Sequence, residues 1–200
     1  MPHVDTLLVA TTNPGKLAEI RGILAGLPYR LVALDEIAAP PEPEETGATF
    51  AENARLKAIY YAKATGLLTV AEDSGLEIDV LDGVPGVQSA RWNGSSYPEK
   101  FVRIYKELEA RGAPGSPARF VCSVALVRDA RVLFEARGTV EGEIAAEPRG
   151  THGFGYDPIF FYPPYGRTLG EVEEEEKRAV SHRGHAFRAL AAFLQAGPRT

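Results

Sequence analysis

Leu67–Gly75, LLTVAEDSG, is an apolar run that ends in two acids, a hydroxyl and a glycine. Leu67, Leu68, Val70 and Ala71 read as a short buried strand, because a continuous apolar run bounded by turn residues suits a strand covered on both faces. The strand is expected to stop at Glu72-Asp73 and to turn through Asp-Ser-Gly, where Asp and Ser bond nearby backbone and Gly tolerates positive φ. Two carboxylates then lie at a strand end. In open α/β sheets that is where ligands bind, and paired acids there hold Mg²⁺ or activate water. A plain turn is the commoner meaning of Asp-Ser-Gly, so the rest of the chain has to decide.

Upstream, Thr6–Ala10 reads as a first strand, followed by Thr11-Thr12-Asn13-Pro14-Gly15-Lys16. Asn13 is an N-cap residue, Pro14 suits the first helical position, and Leu17, Ile20, Leu24 and Leu27 recur at helical spacing. A strand–loop–helix joint of this kind gathers unpaired N–H groups, two hydroxyls and a lysine where a phosphate is favoured. It is not the Walker A pattern, and alone it is a weak signal. Residues 29–34 predict a second strand. The acidic, proline-rich stretch 40–47, PPEPEETG, has the composition of a solvated loop, yet it delivers Glu44 and Glu45 just ahead of a helix. That helix opens with the capping box Thr49/Glu52 and ends at Gly66. Asn53 and Lys57, four residues apart, share one of its faces, which either meets solvent or lines a phosphate site with Lys16.

Downstream, Leu76, Ile78 and Val80 alternate as a strand, and a Gly-Pro loop leads to Ser89-Ala90-Arg91-Trp92. A second capping box, Ser96/Glu99, opens a helix with Phe101, Ile104, Tyr105 and Leu108 on one side. Residues 119–127 and 132–140 read as a hairpin, so a sheet with parallel crossovers gains an antiparallel part. In GTHGFGYDPIFFYPPY, residues 150–165, glycines and prolines exclude a helix. Phe154, Gly155, Tyr156 and Asp157 are candidates for stacking and hydrogen-bonding a base, while residues 159–161 read as core strand. Glu173–Glu176 is most simply a solvated face, with Lys177 and Arg178 after it. Ser181 is placed to cap a last helix, which puts Ser-His-Arg at a positively polarised end, with Arg183 offering a fork of donors.

The 200 residues suffice for one domain or two closely packed lobes, and 44% hydrophobic with 24% charged residues is ordinary for a soluble globular protein. A net charge of −5 argues against a general nucleic-acid binder. With Cys122 as the single cysteine, neither an intramolecular disulfide nor a cysteine-based zinc site can form. The apolar stretch Leu7–Ala10 is too short for a signal peptide or a membrane span, so a cytoplasmic enzyme without membrane attachment is expected. The G-x-S-x-G elbow of serine hydrolases is absent.

Thr11-Thr12-Asn13 with Lys16, the EETG and FAEN segments, AEDSGLEIDVLDGVPGVQSARW, GFGYDPIFF and EEKRAVSHRG occur in order along nearly the whole chain. Together they resemble the inosine/xanthosine triphosphate pyrophosphatase family. This chain has Thr12 where that family's first loop commonly has glycine. The resemblance implies an α/β fold, a long mixed β-sheet with flanking helices, in which two lobes of a single domain surround a central nucleotide-binding cleft. It implies a homodimer that converts dITP, ITP or XTP to monophosphate and pyrophosphate with Mg²⁺. By matching motifs, Asp73 would be the catalytic acid and, with Glu45 or Glu44, the metal anchor. Thr11, Thr12, Asn13, Lys16, Lys57 and Ser74 would hold the triphosphate. Phe154, Gly155, Tyr156 and Asp157 would hold base and sugar, completed by Lys177, His182 and Arg183. Arg183 can only donate, which suits the 6-oxo group of these purines over the 6-amino group of adenine.

Overall fold

The strand that begins at Leu68 does not stop at Glu72. In the computed structural model, which describes residues 5–92, 94 and 96–197, β3 runs unbroken over Leu68–Ile78 and takes Glu72, Asp73, Ser74 and Gly75 into the sheet. Turn propensity loses here because strand extent is decided by pairing and packing with neighbours. Gly75 is not in the left-handed region. Its role is close approach: a Cβ there would strike Ser89 Oγ and sit 2.6 Å from the Gly86 carbonyl oxygen.

The other elements are β1 (Asp5–Val9), α1 (Pro14–Leu24), β2 (Tyr29–Ala33), α2 (Phe50–Thr65), α3 (Tyr97–Ala110), β4 (Pro117–Arg128), β5 (Arg131–Ile144), β6 (Phe160–Tyr162), β7 (Arg167–Thr168), α4 (Glu174–Val180) and α5 (His182–Gln195). The strands form one sheet in the order β2-β1-β3-β4-β5-β6-β7. Pairing of β1 with β2 and β3 is parallel, and that of β6 with β5 and β7 is antiparallel. Asp129 and Ala130, at φ +49° and +63°, make the two-residue turn of the β4–β5 hairpin. The mixed α/β sheet expected from the sequence is thus present, with five α-helices among the described residues. None of these helices is long and apolar enough to cross a membrane.

Local signals explain the helix ends. Asn13 accepts from the Lys16 amide at 3.1 Å, and Thr49/Glu52 and Ser96/Glu99 are complete capping boxes. Gly66 closes α2 at φ +69°. Glu174–Glu176 form the exposed first turn of α4, where the helix dipole favours acids. Ser181 lies between α4 and α5, its amide donating to the Lys177 carbonyl at 2.8 Å.

Two compact units can be distinguished. The first holds described residues within 5–73, 122–138 and 182–197; the second holds those within 74–121 and 139–181. In the first, strand alternation sorts side chains onto two faces. Leu7, Val9, Leu68, Val70, Cys122 and Val124 meet Ile20 and Leu24 of α1 and Phe187 and Leu190 of α5. Leu8, Ala10, Ala71, Ala125 and Val127 meet Ala54, Ala58, Tyr61 and Ala62 of α2. In the second unit, Phe101, Ile104 and Leu108 of α3 cover Leu76, Ile78, Phe120, Val140 and Ile144, together with Tyr156, Ile159 and Phe160. Each such Leu, Ile or Phe contributes about 1.5–3 kcal/mol by leaving water.

Candidate functional site

Because β3 continues through the acids, alternation sends Glu72 and Asp73 to opposite faces of the sheet. Asp73 follows Ala71 toward α2; Glu72 follows Leu68 and Val70 toward α1 and α5. Two ion networks result, each built around one carboxylate in the first unit.

Around Asp73, the polar face of α2 proves to be buried rather than solvated. Asn53 Nδ2 donates to Asp73 Oδ2 at 3.0 Å, while Asn53 Oδ1 accepts from the Gly47 amide at 2.7 Å. One side chain therefore ties the acidic loop to the strand. The tie leaves no room for a side chain at 47, where a Cβ would lie 2.6 Å from Asn53 Oδ1. Lys57 Nζ lies 2.5 Å from Glu45 Oε1 and 3.9 Å from Asp73 Oδ1, so two carboxylates share one ammonium. Glu44, the neighbouring candidate, is exposed and makes no ion pair among the described residues. Burial, the largest influence on Asp73, pushes its carboxyl above the usual range, although Lys57 and Asn53 pull it down. Burial works against the Lys57 ammonium too. There Asp73, Glu72 and Glu45 together outweigh it and hold the lysine protonated.

Around Glu72, which is 2% exposed, Lys16 Nζ lies 2.6 Å from Oε1 and Arg183 Nη2 3.6 Å from Oε2. The Cys122 thiol donates to Oε2 at 3.3 Å. Arg183 also donates to Glu19 Oε2 at 2.6 Å. Burial would push the Glu72 carboxyl up, but Lys16, Arg183 and Lys57 outweigh it and hold the group ionised, well below the usual range. Burial and then Glu72 drive the Cys122 thiol up, so it stays neutral. Lys16 reaches this network from the first turn of α1, just after Asn13, which is braced by its amide donating to Thr11 Oγ1 at 3.2 Å. Thr12 is exposed and donates to Glu42 at 3.4 Å.

The second unit carries the aromatic loop. Gly153 and Gly155 take φ +72° and +70°, which turns the chain so that Asp157 Oδ2 accepts from the Phe154 amide at 2.8 Å. Lys177 Nζ donates to the same oxygen at 2.6 Å and sits 4.5 Å from the centroid of the half-buried Phe154 ring. Tyr156 belongs to the core instead. Its hydroxyl donates to the Ser89 carbonyl at 2.8 Å, and the Tyr97 ring meets it edge-on at 5.2 Å. Ser74 is half-buried on β3, and His182 is buried at the start of α5.

The first unit thus gathers Lys57, Glu45 and Asp73 in one network and Lys16 and Arg183 around Glu72 in another, and the second brings together Phe154, Gly155, Asp157 and Lys177. Sequence reading took Glu72 as the paired acid of Asp73 at a strand end, a pairing that their opposite faces on β3 rule out, and assigned no role to Glu19 or Cys122. The available signal for Glu72 was the period of two: if the strand continues, neighbouring acids cannot face the same way. Among the described residues, no group of three or more His, Cys, Asp or Glu side chains could hold a metal ion. A pair of carboxylates, with water and substrate oxygens completing the shell, is nonetheless how Mg²⁺ is commonly held.

A lysine in the first turn of a capped helix, and a buried lysine set between two carboxylates, define an α/β protein equipped to handle a polyanion together with a cation. The chain belongs to the Ham1 family, whose model matches residues 7–193. It is 45% identical to a dITP/XTP pyrophosphatase of Exiguobacterium sp. strain AT1b, covering 94% of this chain and 96% of that protein. It is 46% identical to the dITP/XTP pyrophosphatase of Geobacter sulfurreducens, with the same coverage. Among solved structures, a HAM1 protein from Coxiella burnetii superposes with a TM-score of 0.89 at 41% identity, covering 96% of this chain and all of that one.

Proposed function

We propose that this protein hydrolyses deaminated purine nucleoside triphosphates, dITP, ITP and XTP, to the monophosphate and pyrophosphate, clearing them from the nucleotide pool. The observation that carries the reading is the sharing of the buried Lys57 by Glu45 and Asp73, in a chain whose relatives along nearly its full length are named dITP/XTP pyrophosphatases.

Charge balance supports a metal requirement. In the first unit Glu45 and Asp73 converge on the single ammonium of Lys57, a concentration of carboxylate that a divalent cation would offset. Glu45 and Asp73 would hold Mg²⁺, with the exposed Glu44 outside the site. When bound, the ion would offset phosphate charge and polarise the α-phosphorus. Asp73 orients a water for attack at that phosphorus and accepts its proton, a task suited to a carboxyl raised by burial. The bond to the bridging oxygen breaks, and pyrophosphate leaves with the electron pair. Lys16 and Lys57 balance the charge that gathers on it. Thr11, Thr12, Asn13 and Ser74 contribute donors to the phosphates. Phe154 stacks on the base, with Gly155, Asp157 and Lys177 shaping its loop, while Tyr156 anchors that loop through the core. His182 and Arg183 complete recognition, Arg183 from its buried place between Glu19 and Glu72. The enzyme works as a homodimer in the cytoplasm.

The test is a substrate panel of ITP, dITP, XTP, GTP, ATP and modified pyrimidine triphosphates, scored for monophosphate and pyrophosphate with and without Mg²⁺. Metal-dependent pyrophosphate release from ITP, dITP and XTP is expected, with the canonical purines far slower. Nucleotide binding without turnover would make the protein a regulator instead.

A further inference from the structure

Glu72 is a carboxylate that the proposed reaction does not use, and its surroundings are unusual. It is 2% exposed on the apolar face that β3 turns toward α1 and α5, yet it lies within reach of two of the cations assigned to the nucleotide. A lone carboxylate in such a place costs several kcal/mol, so its partners are not optional. They differ, however, in freedom. The Arg183 side chain is 2% exposed and held by a second carboxylate, Glu19. The Cys122 thiol lies inside the sheet core. The Lys16 side chain is 18% exposed and stands in the first turn of α1, beside the capped loop that would cradle phosphate. Of the three, Lys16 is the partner able to swing between Glu72 and a ligand in solvent.

We propose that Glu72 is a positioning residue that acts through Lys16, an internal counter-anion that occupies the lysine until a metal-neutralised polyphosphate displaces it and reclaims the lysine when pyrophosphate departs. The consequence is discrimination. A bare anion must compete with a carboxylate already 2.6 Å from the ammonium, and so binds weakly. A triphosphate carrying its cation competes with charge to spare. The same competition shortens the stay of the product. This rests on the pyrophosphatase reading above, but the deciding measurement does not require turnover.

Titration calorimetry with inorganic pyrophosphate, in chelator and without divalent metal, compares the wild type with Glu72→Gln, Lys16→Met and the double variant. Glu72→Gln is expected to bind pyrophosphate about tenfold or more tightly than the wild type. Lys16→Met should abolish that gain, because the effect passes through the lysine. With ITP and Mg²⁺, Glu72→Gln should lower KM and lower kcat as release slows. If Glu72→Gln does not fold by circular dichroism, Glu72→Asp takes its place. It keeps the charge but withdraws the carboxylate by one methylene, and about threefold tighter binding is expected. Unchanged or weaker pyrophosphate binding in the folded variant overturns the proposal, as does a gain that survives in the Lys16→Met background. A wild type that leaves ITP intact would instead sink the pyrophosphatase reading, whatever the calorimetry gives.

Discussion

Asp73 and Glu72 are adjacent in sequence and alike in chemistry, yet their environments assign them different work. Asp73 is hydrogen-bonded by an amide and shares its lysine with Glu45; Glu72 is surrounded by full charges and is held ionised. Asp73→Asn should therefore leave the fold intact while lowering kcat about a hundredfold or more, the scale of losing an acid–base group or metal anchor. Near wild-type turnover by the folded variant would remove Asp73 from the chemistry. For Arg183 the informative change is Arg183→Lys. Alanine would strip a cation from two buried carboxylates, a loss that costs roughly 3–5 kcal/mol in such settings. Lysine keeps the charge but loses the planar fork. If Arg183 reads the 6-oxo group, kcat/KM for ITP over ATP narrows about tenfold. Equal loss for both substrates would make Arg183 a counter-ion of Glu19 and Glu72, with base choice left to the Gly153–Asp157 loop.

At the scale of the element, β3 carries the sharpest lesson. Its glycine looks like a turn residue but serves a crossing: the backbone of Gly75 lies against Ser89, whose Oγ accepts from the Leu76 amide at 2.9 Å and donates to the Gly86 carbonyl at 2.6 Å. Gly75→Ala pushes a methyl group into that carbonyl, and overpacking of this kind costs about 1–3 kcal/mol. At about 2–4 °C per kcal/mol for a chain of this length, the melting temperature should fall by roughly 2–12 °C. A melting temperature within a degree of wild type would show that the loop yields freely. The caps at Asn13, Thr49/Glu52 and Ser96/Glu99 were legible in the sequence because capping is settled within four residues. The hairpin turn at Asp129-Ala130 was legible for the same local reason. The continuation of β3 was not, since it depends on strands distant in sequence. Nor was the contact of Asn53 with Asp73, twenty residues away, or the commitment of the Tyr156 hydroxyl to Ser89. The candidate site residues were chosen by type and order, while the division of Glu72 and Asp73 between two faces of the sheet needed the register.

For the whole molecule, the proposed homodimer is the feature most open to direct measurement. Among the described residues only Val84 and Val102 are large hydrophobic side chains left exposed, at 40% and 54%. An interface including them would be modest in apolar content, so family resemblance carries the expectation. Light scattering at micromolar concentration should give about twice the 21.6 kDa chain mass. A mass that stays at the monomer value across that range would refute it. The division of the chain has a separate consequence for how the protein is made. The second unit draws only on residues 74–121 and 139–181, whereas the first needs its opening strands, the middle of the β4–β5 hairpin and α5. On the ribosome, which releases the chain from its N-terminus, Asp157 can meet both the Phe154 amide and Lys177 once Ser181 clears the exit tunnel. The lysine–carboxylate network is still incomplete. Until α5 emerges with Arg183, the nascent chain carries Glu19 and Glu72 without the guanidinium they share in the folded protein.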